Sequence, residues 1–162
     1  MNIAILLIYS FFSLFIISYS IVQLSLVFSY LKNRKKIAVH IEEFSDKDEI
    51  PFVTVQLPVY NELYVIERLI DCIAKFNYPT DKLEIQVLDD STDETAEIIA
   101  NKVDYWQKKG VDIQHIQRSE RVGFKAGALD YGMKLCKGEF IAIFDADFVP
   151  EKDFLLKTIP YF

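Results

Sequence analysis

Acidic residues stand at the ends of two apolar runs in this sequence. Asp89 and Asp90 close one run, and Asp145 and Asp147 close another, Phe140–Phe144. Carboxylates that lie close together repel each other, and their pKa values rise unless a positive group balances them. A divalent cation is the simplest such group, because Mg²⁺ takes one or two carboxylates and fills its shell with water and phosphate oxygens. Either motif alone is more often a solvated turn or a helix cap. The prediction of a cation site therefore depends on both motifs occurring together.

Further polar residues accompany these motifs. An earlier apolar run, residues 52–57, leads into Pro58-Val59-Tyr60-Asn61-Glu62. Lys125 lies near the start of the helix predicted over residues 124–137. A helix N-terminus attracts phosphate, because its free N–H groups and the helix dipole favour negative charge. Gly123 and Gly127 flank this lysine and permit a close backbone approach. The alternative interpretation of this segment is a solvated loop with a surface lysine.

Apolar runs and segments of helical spacing alternate from residue 51 onward. The predicted strands are 52–57, 83–88, 111–116 and 140–144, and the predicted helices are 63–76, 93–109, 124–137 and a last one from Pro150. Ser91 and Glu94 have the spacing of a capping box for the second helix. This alternation predicts an α/β fold with a mostly parallel sheet covered by helices. Ligands of such sheets bind at the carboxyl ends of the strands, near the point where strand order reverses, and the acidic motifs would lie there.

The first 31 residues carry no charged side chain. About 20 apolar helical residues span a bilayer, so this run predicts one N-terminal transmembrane helix. A secretory signal peptide would place positive charge before a shorter apolar run, whereas here it follows, which favours an uncleaved anchor. Residues 32–50 are predicted to form a basic juxtamembrane segment and linker, with the domain of residues 51–162 on the cytoplasmic side of the membrane. The basic residues are Lys32, Arg34, Lys35 and Lys36.

Composition excludes several classes of protein. The net charge of −6 argues against a nucleic-acid-binding protein, which would carry a basic face. Cys72 and Cys136 are too few and too far apart for a disulfide framework or a metal site, so buried free thiols in a reducing compartment are expected. No glycine-rich dinucleotide fingerprint and no P-loop motif is present in the sequence.

The motifs taken together resemble the family 2 glycosyltransferases with a GT-A fold. The residues that carry the resemblance read VTVQLPVYNE, QVLDDSTDET, GFKAGAL and FDADFVP, and the similarity runs from about residue 51 to Phe162. Within this family, the motifs most resemble those of the cellulose-synthase-like group that makes mannan, glucomannan or glucan backbones. The resemblance implies an enzyme that transfers a hexose from a UDP-glucose-type or GDP-mannose-type donor to a growing polysaccharide with inversion.

The resemblance also implies roles for individual residues. Pro58, Tyr60 and Glu62 would line the nucleotide pocket. Asp89 and Asp90 would contact the base and the ribose, in an order that the resemblance leaves open. The remaining positions concern the diphosphate: Lys125 would approach it or the donor sugar, Asp145 would lie beside it and the ribose, and Asp147, with Asp145, would hold Mg²⁺ or Mn²⁺.

Two motifs of the family are not found in this sequence. Family members carry a further acidic motif whose Asp is the general base, and processive members add a Gln-x-x-Arg-Trp motif and more membrane helices. We therefore expect a fragment or truncated product that holds the donor-binding half, with the base beyond Phe162. The 162-residue chain by itself is expected to bind donor nucleotide without transferring sugar.

Three other interpretations compete with a polysaccharide synthase. The first is a family 2 enzyme that makes a single addition to a lipid phosphate or another acceptor. The second is a phosphoacceptor receiver domain, although its acidic pair would follow the first strand rather than the second. The third is a degenerate domain that only anchors partners, which the intact acidic motifs disfavour.

Overall fold

A computed structural model describes residues 3–33 and 50–162 of this chain. Its first element is helix α1 (Ile3–Asn33), which is long and apolar enough to cross a membrane by length and composition. The apolar side chains along it are exposed. Most of the predicted linker 32–50, including Arg34, Lys35 and Lys36, lies outside the described residues, and the predicted membrane orientation stays a prediction.

The second part of the chain, from residue 50 onward, alternates strands and helices as predicted. Its strands are β1 (Val53–Val59), β2 (Leu83–Asp89), β3 (Ile113–Gln117) and β4 (Phe140–Ile143), and its helices are α2 (Ile66–Ile73), α3 (Thr95–Gln107), α4 (Phe124–Met133) and α5 (Phe154–Thr158). Short 3₁₀ turns occupy Thr80–Lys82 and Ile159–Tyr161.

All four strands join one parallel sheet in the order β3-β2-β1-β4. The chain builds outward from β1 through β2 to β3 and then returns to place β4 on the other side of β1. The strand order therefore reverses between β1 and β4. The predicted α/β architecture is confirmed, and the switch point, where such sheets bind ligands, lies between these two strands.

Helices α2 and α3 cover the sheet with apolar stripes of helical spacing. In α2 the buried residues recur at intervals of three and four, which brings one face of the helix onto the sheet; they are Ile66, Leu69, Ile70 and Ile73. Helix α3 buries Ile99, Val103 and Trp106 in the same way. The two thiols, Cys72 and Cys136, are half-buried and free rather than buried.

The start of α3 differs from the prediction. The helix begins at Thr95, whose backbone N–H donates to Asp93 Oδ1 at 3.0 Å. Ser91 does not cap it, because its hydroxyl accepts a hydrogen bond from the backbone N–H of Asn61 at 3.0 Å. The capping-box prediction was therefore wrong. The predicted end was right, since Gly110 takes the left-handed φ of 85° that favours glycine just after a helix.

Candidate functional site

A crevice opens where β1 and β4 part, and Pro58 limits the pairing there. The last hydrogen bond between these strands runs from Phe144 N to Gln56 O, at 3.2 Å. The next residue of β1 that faces β4 is Pro58, which has no backbone N–H to donate. On the other side, β1 stays paired with β2 as far as Val59. The sheet therefore splits on one side only, at the switch point.

This crevice is a cavity of about 430 Å³. It contains most of the residues that the sequence singled out. Its lining includes Pro58, Tyr60, Glu62, Asp90, Lys125, Asp145 and Asp147, together with Val59, Arg121, Ala128 and Ala146. Of the predicted site residues, only Asp89 is missing from that lining. The fold thus brings the residues at the ends of three strands and one helix N-terminus into one concave surface.

Asp145 and Asp147 are presented to the crevice by a tight turn. Phe148 N donates to Asp145 O at 3.0 Å, which closes the turn directly after β4. Phe144 and Ala146 point into the core and are buried, so the two aspartates between and after them are exposed. The chain therefore bends directly after β4, with both aspartates on the turn.

Two carboxylates on one turn suit a cation that is shared with a ligand. Across residues 3–33 and 50–162, no group of three or more His, Cys, Asp or Glu side chains is placed to hold a metal ion. A protein-only cage is therefore absent from this part of the chain. Mg²⁺ is commonly held by one or two carboxylates plus substrate phosphates, and Asp145 with Asp147 fits that donor set.

Lys125 lies opposite these carboxylates at the start of α4. Its position depends on Gly127, where a Cβ atom would lie 1.9 Å from Val122 O, so only glycine lets α4 pack on the preceding loop. Lys125 Nζ forms an ion pair with Asp145 Oδ1, and both side chains are more than half exposed. Exposed pairs of this kind contribute about 1 kcal/mol or less. A phosphate and a cation can therefore separate the two groups at little cost.

Asp90 is held in place by Arg118. The guanidinium donates from Nε to Asp90 Oδ1 at 3.0 Å and from Nη2 to Asp90 Oδ2. The same side chain donates to the carbonyl oxygens of Val122 and Phe124, at 2.9 and 3.1 Å. Arg118 thereby joins the loop after β2 to the loop that precedes Lys125. The two side chains of this pair are only 10% and 5% exposed.

Asp89 points away from the crevice and is buried. Its carboxylate is bonded to His115 Nε2 at 2.8 Å and accepts from Gln117 Nε2 at 3.1 Å and from Ser91 N at 2.8 Å. Burial by itself would raise the pKa of Asp89, but these hydrogen bonds outweigh it and lower the pKa below its ordinary value. The structure therefore separates Asp89 from Asp90 and does not place it beside Asp145 or Asp147.

Arg121 and Tyr60 form a stacked pair at the mouth of the crevice. The guanidinium carbon of Arg121 lies 3.3 Å from the centroid of the Tyr60 ring, within the range of a cation–π contact. Arg121 Nε is also 3.8 Å from Asp90 Oδ2. The crevice therefore presents an aromatic ring and two cations beside its four carboxylates.

Sequence reasoning missed the residues that hold the site together. Arg118 and Arg121 lie in a loop without periodicity, so no pattern singled them out from other surface charges. His115, which lies against Asp89, was not singled out from the sequence either. The one available signal was strand parity, since His115 and Asp89 face the same side of neighbouring strands.

The parallel sheet, its covering helices and the acidic crevice at its switch point define an α/β fold of the GT-A type. Residues 54–162 match the family described as Glycosyl transferase family 2. The chain belongs to that family, and the resemblance that the motifs suggested is confirmed.

Curated relatives are similar to this chain over most of its length. It is 48% identical over 126 residues to "Probable glucomannan 4-beta-mannosyltransferase 7" of Oryza sativa subsp. japonica, covering 74% of this chain and 21% of that protein. It is 41% identical over 148 residues to "Probable glucomannan 4-beta-mannosyltransferase 3" of Arabidopsis thaliana, covering 83% of this chain and 26% of that protein. The chain thus spans about a quarter or less of these relatives' length.

Two solved structures share its fold. Mannosyltransferase PcManGT from Pyrobaculum calidifontis, in complex with GDP-Man and Mn²⁺, matches with a TM-score of 0.67 and 31% identity, covering 83% of this chain and 39% of that one. S. aureus TarS 1-349, in complex with UDP-GlcNAc, matches with a TM-score of 0.59 and 25% identity, covering 68% and 30%.

Proposed function

We propose that the crevice between the ends of β1 and β4 binds the nucleotide diphosphate of a sugar donor together with Mg²⁺ or Mn²⁺. The observation that carries this proposal is the meeting of Asp145, Asp147, Lys125, Asp90 and Tyr60 in one cavity. Carboxylates alone would repel a diphosphate, whereas carboxylates that share a cation with it attract it. PcManGT, which is similar in fold, was solved with GDP-Man and Mn²⁺.

We assign the cation to Asp147 and Asp145, and the diphosphate or donor sugar to Lys125. When bound, the cation acts as a Lewis acid that neutralises charge on the leaving diphosphate. Lys125 lies at the N-terminus of α4, where its ammonium group and the free N–H groups of the first turn both favour phosphate. Asp145, now paired with Lys125, is placed beside the ribose and diphosphate in this assignment.

We assign the nucleoside to the β1 end of the crevice. Pro58, Tyr60 and Glu62 line the pocket. Arg121 covers one face of the Tyr60 ring, and we assign the base to a stack on the other face. Of the predicted pair Asp89 and Asp90, we give the contact with base or ribose to Asp90. Asp90 lines the crevice and Asp89 does not, so the part of Asp89 in the proposal is to hold the loop after β2 through its bonds to His115, Gln117 and Ser91.

For the whole protein, we propose transfer of a hexose to a growing polysaccharide by an inverting displacement. The support is that the relatives at 41% and 48% identity are named as probable glucomannan mannosyltransferases. The donor is of the GDP-mannose or UDP-glucose type. An inverting displacement needs a general base within hydrogen-bond reach of the acceptor hydroxyl, and we assign that role to no residue of this crevice. Helix α1 is proposed to anchor the enzyme in the membrane, with the domain on the cytoplasmic side.

Titration calorimetry of the chain in detergent micelles tests the donor site. GDP and UDP are expected to bind in the presence of Mn²⁺, and binding is expected to vanish when EDTA removes the metal. Monophosphates serve as the control, because a cation that bridges carboxylates and a diphosphate gains little from GMP or UMP. Absence of any metal-dependent binding of both diphosphates would refute the proposal.

A further inference from the structure

Asn61 joins two loops of the crevice by hydrogen bonds from its backbone and its side chain. Its backbone N–H donates to Ser91 Oγ at 3.0 Å. Its side-chain Oδ1 accepts from Thr92 N at 2.9 Å, and its Nδ2 contacts Thr92 Oγ1 at 3.4 Å. One residue of the loop after β1 is therefore bonded to two consecutive residues of the loop after β2.

The backbone of Asn61 also restricts which residue can stand there. Its φ of 55° lies in the left-handed region, which is costly for most side chains but tolerated by Asn, Asp and Gly. Glycine would adopt this conformation without strain but would lack the side-chain amide. Asparagine thus meets the backbone requirement and the bonding requirement together, and aspartate is the nearest substitute.

The contact continues the sheet past the point where its backbone ladder stops. The last backbone hydrogen bond between β1 and β2 runs from Asp90 N to Val59 O, at 3.0 Å. Beyond it, Ser91 and Thr92 bond to Asn61 through side chains. Tyr60 precedes Asn61, and Asp90 precedes Ser91, so this set of bonds fixes the spacing between two groups that line the crevice.

We propose that Asn61 is a positioning residue of the donor pocket, which sets the separation of Tyr60 and Asp90 by bonding the two loops together. This inference rests on the proposed function for its ligand. Asn61 itself is not among the residues that line the crevice. Its effect on binding therefore comes from the geometry of Tyr60 and Asp90. Removing its side chain takes away the two contacts with Thr92 and leaves the backbone bond to Ser91 Oγ, which loosens the two loops before the donor arrives.

The test uses three variants of the whole chain in detergent micelles. Asn61→Gly keeps the backbone conformation and removes the side-chain bonds. Asn61→Asp keeps an oxygen that accepts from Thr92 N–H, and the Thr92 hydroxyl can turn to donate to it. Asn77→Ala is the matched control, because it removes an exposed asparagine that bonds Asp153 in loops away from the crevice.

Two measurements are made on each variant. The Kd for GDP or UDP with Mn²⁺ is expected to rise about tenfold in Asn61→Gly and to stay within about threefold of wild type in Asn61→Asp and Asn77→Ala. Hydrogen exchange without ligand is expected to speed up at the Thr92 amide in Asn61→Gly and to remain slow in Asn61→Asp.

The two arms separate the possible failures. An Asn61→Gly variant that binds nucleotide as wild type does would overturn the inference, as would unchanged exchange at Thr92. A fall in affinity that Asn61→Asp does not rescue would also overturn it, since the side-chain acceptor would then be irrelevant. If the wild-type chain binds neither nucleotide, the proposed function fails, whereas the exchange arm still decides whether the loops are bonded through Asn61.

Discussion

Replacing Asp147 with asparagine is expected to weaken Mn²⁺-dependent binding of GDP or UDP by about 100-fold, which corresponds to about 3 kcal/mol. The variant keeps the size of the side chain and removes its charge. Asp147 lies on the turn after β4, exposed to the crevice, where the cation and the diphosphate are proposed to meet. Loss of one of two carboxylates leaves the cation with a single anionic protein ligand. Binding without metal is expected to be weak in the wild type and in the variant alike.

Glu151→Gln is the matched control for this charge removal. Glu151 follows the same turn, but it is exposed and pairs with Lys157 at 2.8 Å rather than facing the crevice. Its removal is expected to leave the Kd within about twofold, because exposed pairs contribute little. Calorimetry on both variants, with thermal unfolding as a check on folding, decides the question. If Asp147→Asn and wild type bind the nucleotide with Mn²⁺ equally well, the assignment of the cation to this turn is refuted.

Replacing Arg118 with methionine is expected to destabilise the domain by about 3 kcal/mol, the low end of the cost of breaking a buried ion pair, because Arg121 Nε still lies 3.8 Å from Asp90 Oδ2. Asp90 is 5% exposed on its side chain and accepts two hydrogen bonds from this guanidinium. The variant also removes the donors for Val122 O and Phe124 O, so the loop before α4 loses its attachment to β2's end. Urea unfolding, followed by the fluorescence of the single tryptophan, buried Trp106, measures the loss.

Three further variants, Lys108→Met, Asp90→Asn and a double variant, separate the buried pair from general charge loss. Lys108→Met breaks an exposed pair with Asp104 and is expected to cost about 0.5 kcal/mol or less. The double variant Arg118→Met with Asp90→Asn removes both charges, and it is expected to lose at least 1 kcal/mol less than the sum of the single losses. Additive losses, or a small loss in Arg118→Met, would contradict the role given to this pair.

Alternation of apolar runs and helical segments was enough to predict the architecture from sequence. The four strands and the helices that cover them lie within a few residues of the predicted ranges. The first strand was predicted to end at Leu57 because Pro58 follows. It continues to Val59 because the backbone nitrogen of Pro58, which carries no hydrogen, faces β4. The strand therefore loses a donor only on its β4 side and stays paired with β2. Which edge a proline faces depends on strand order, which the sequence does not carry.

The candidate site was predictable in part. Asp145 and Asp147 directly follow β4. Once the strand order is known, their place in the sequence is enough to predict that they lie at the switch point. Asp89 was grouped with Asp90, although adjacent residues of an extended strand point to opposite faces. The partners of these groups, such as Arg118 and Asn61, come from loops, and their contacts depend on how those loops fold back. No spacing in the sequence indicates such contacts.

Paramagnetic broadening by Mn²⁺ tests the location of the metal–nucleotide site most directly. Backbone amide signals of the chain are recorded with GDP and small additions of Mn²⁺. The proposed site predicts the strongest broadening at Asp145–Asp147, with weaker effects at Lys125 and Tyr60 and none in the separate cavity between α2 and α3, beside Trp106. Broadening centred on that second cavity, or spread evenly over surface carboxylates, would contradict the site at the β1–β4 crevice.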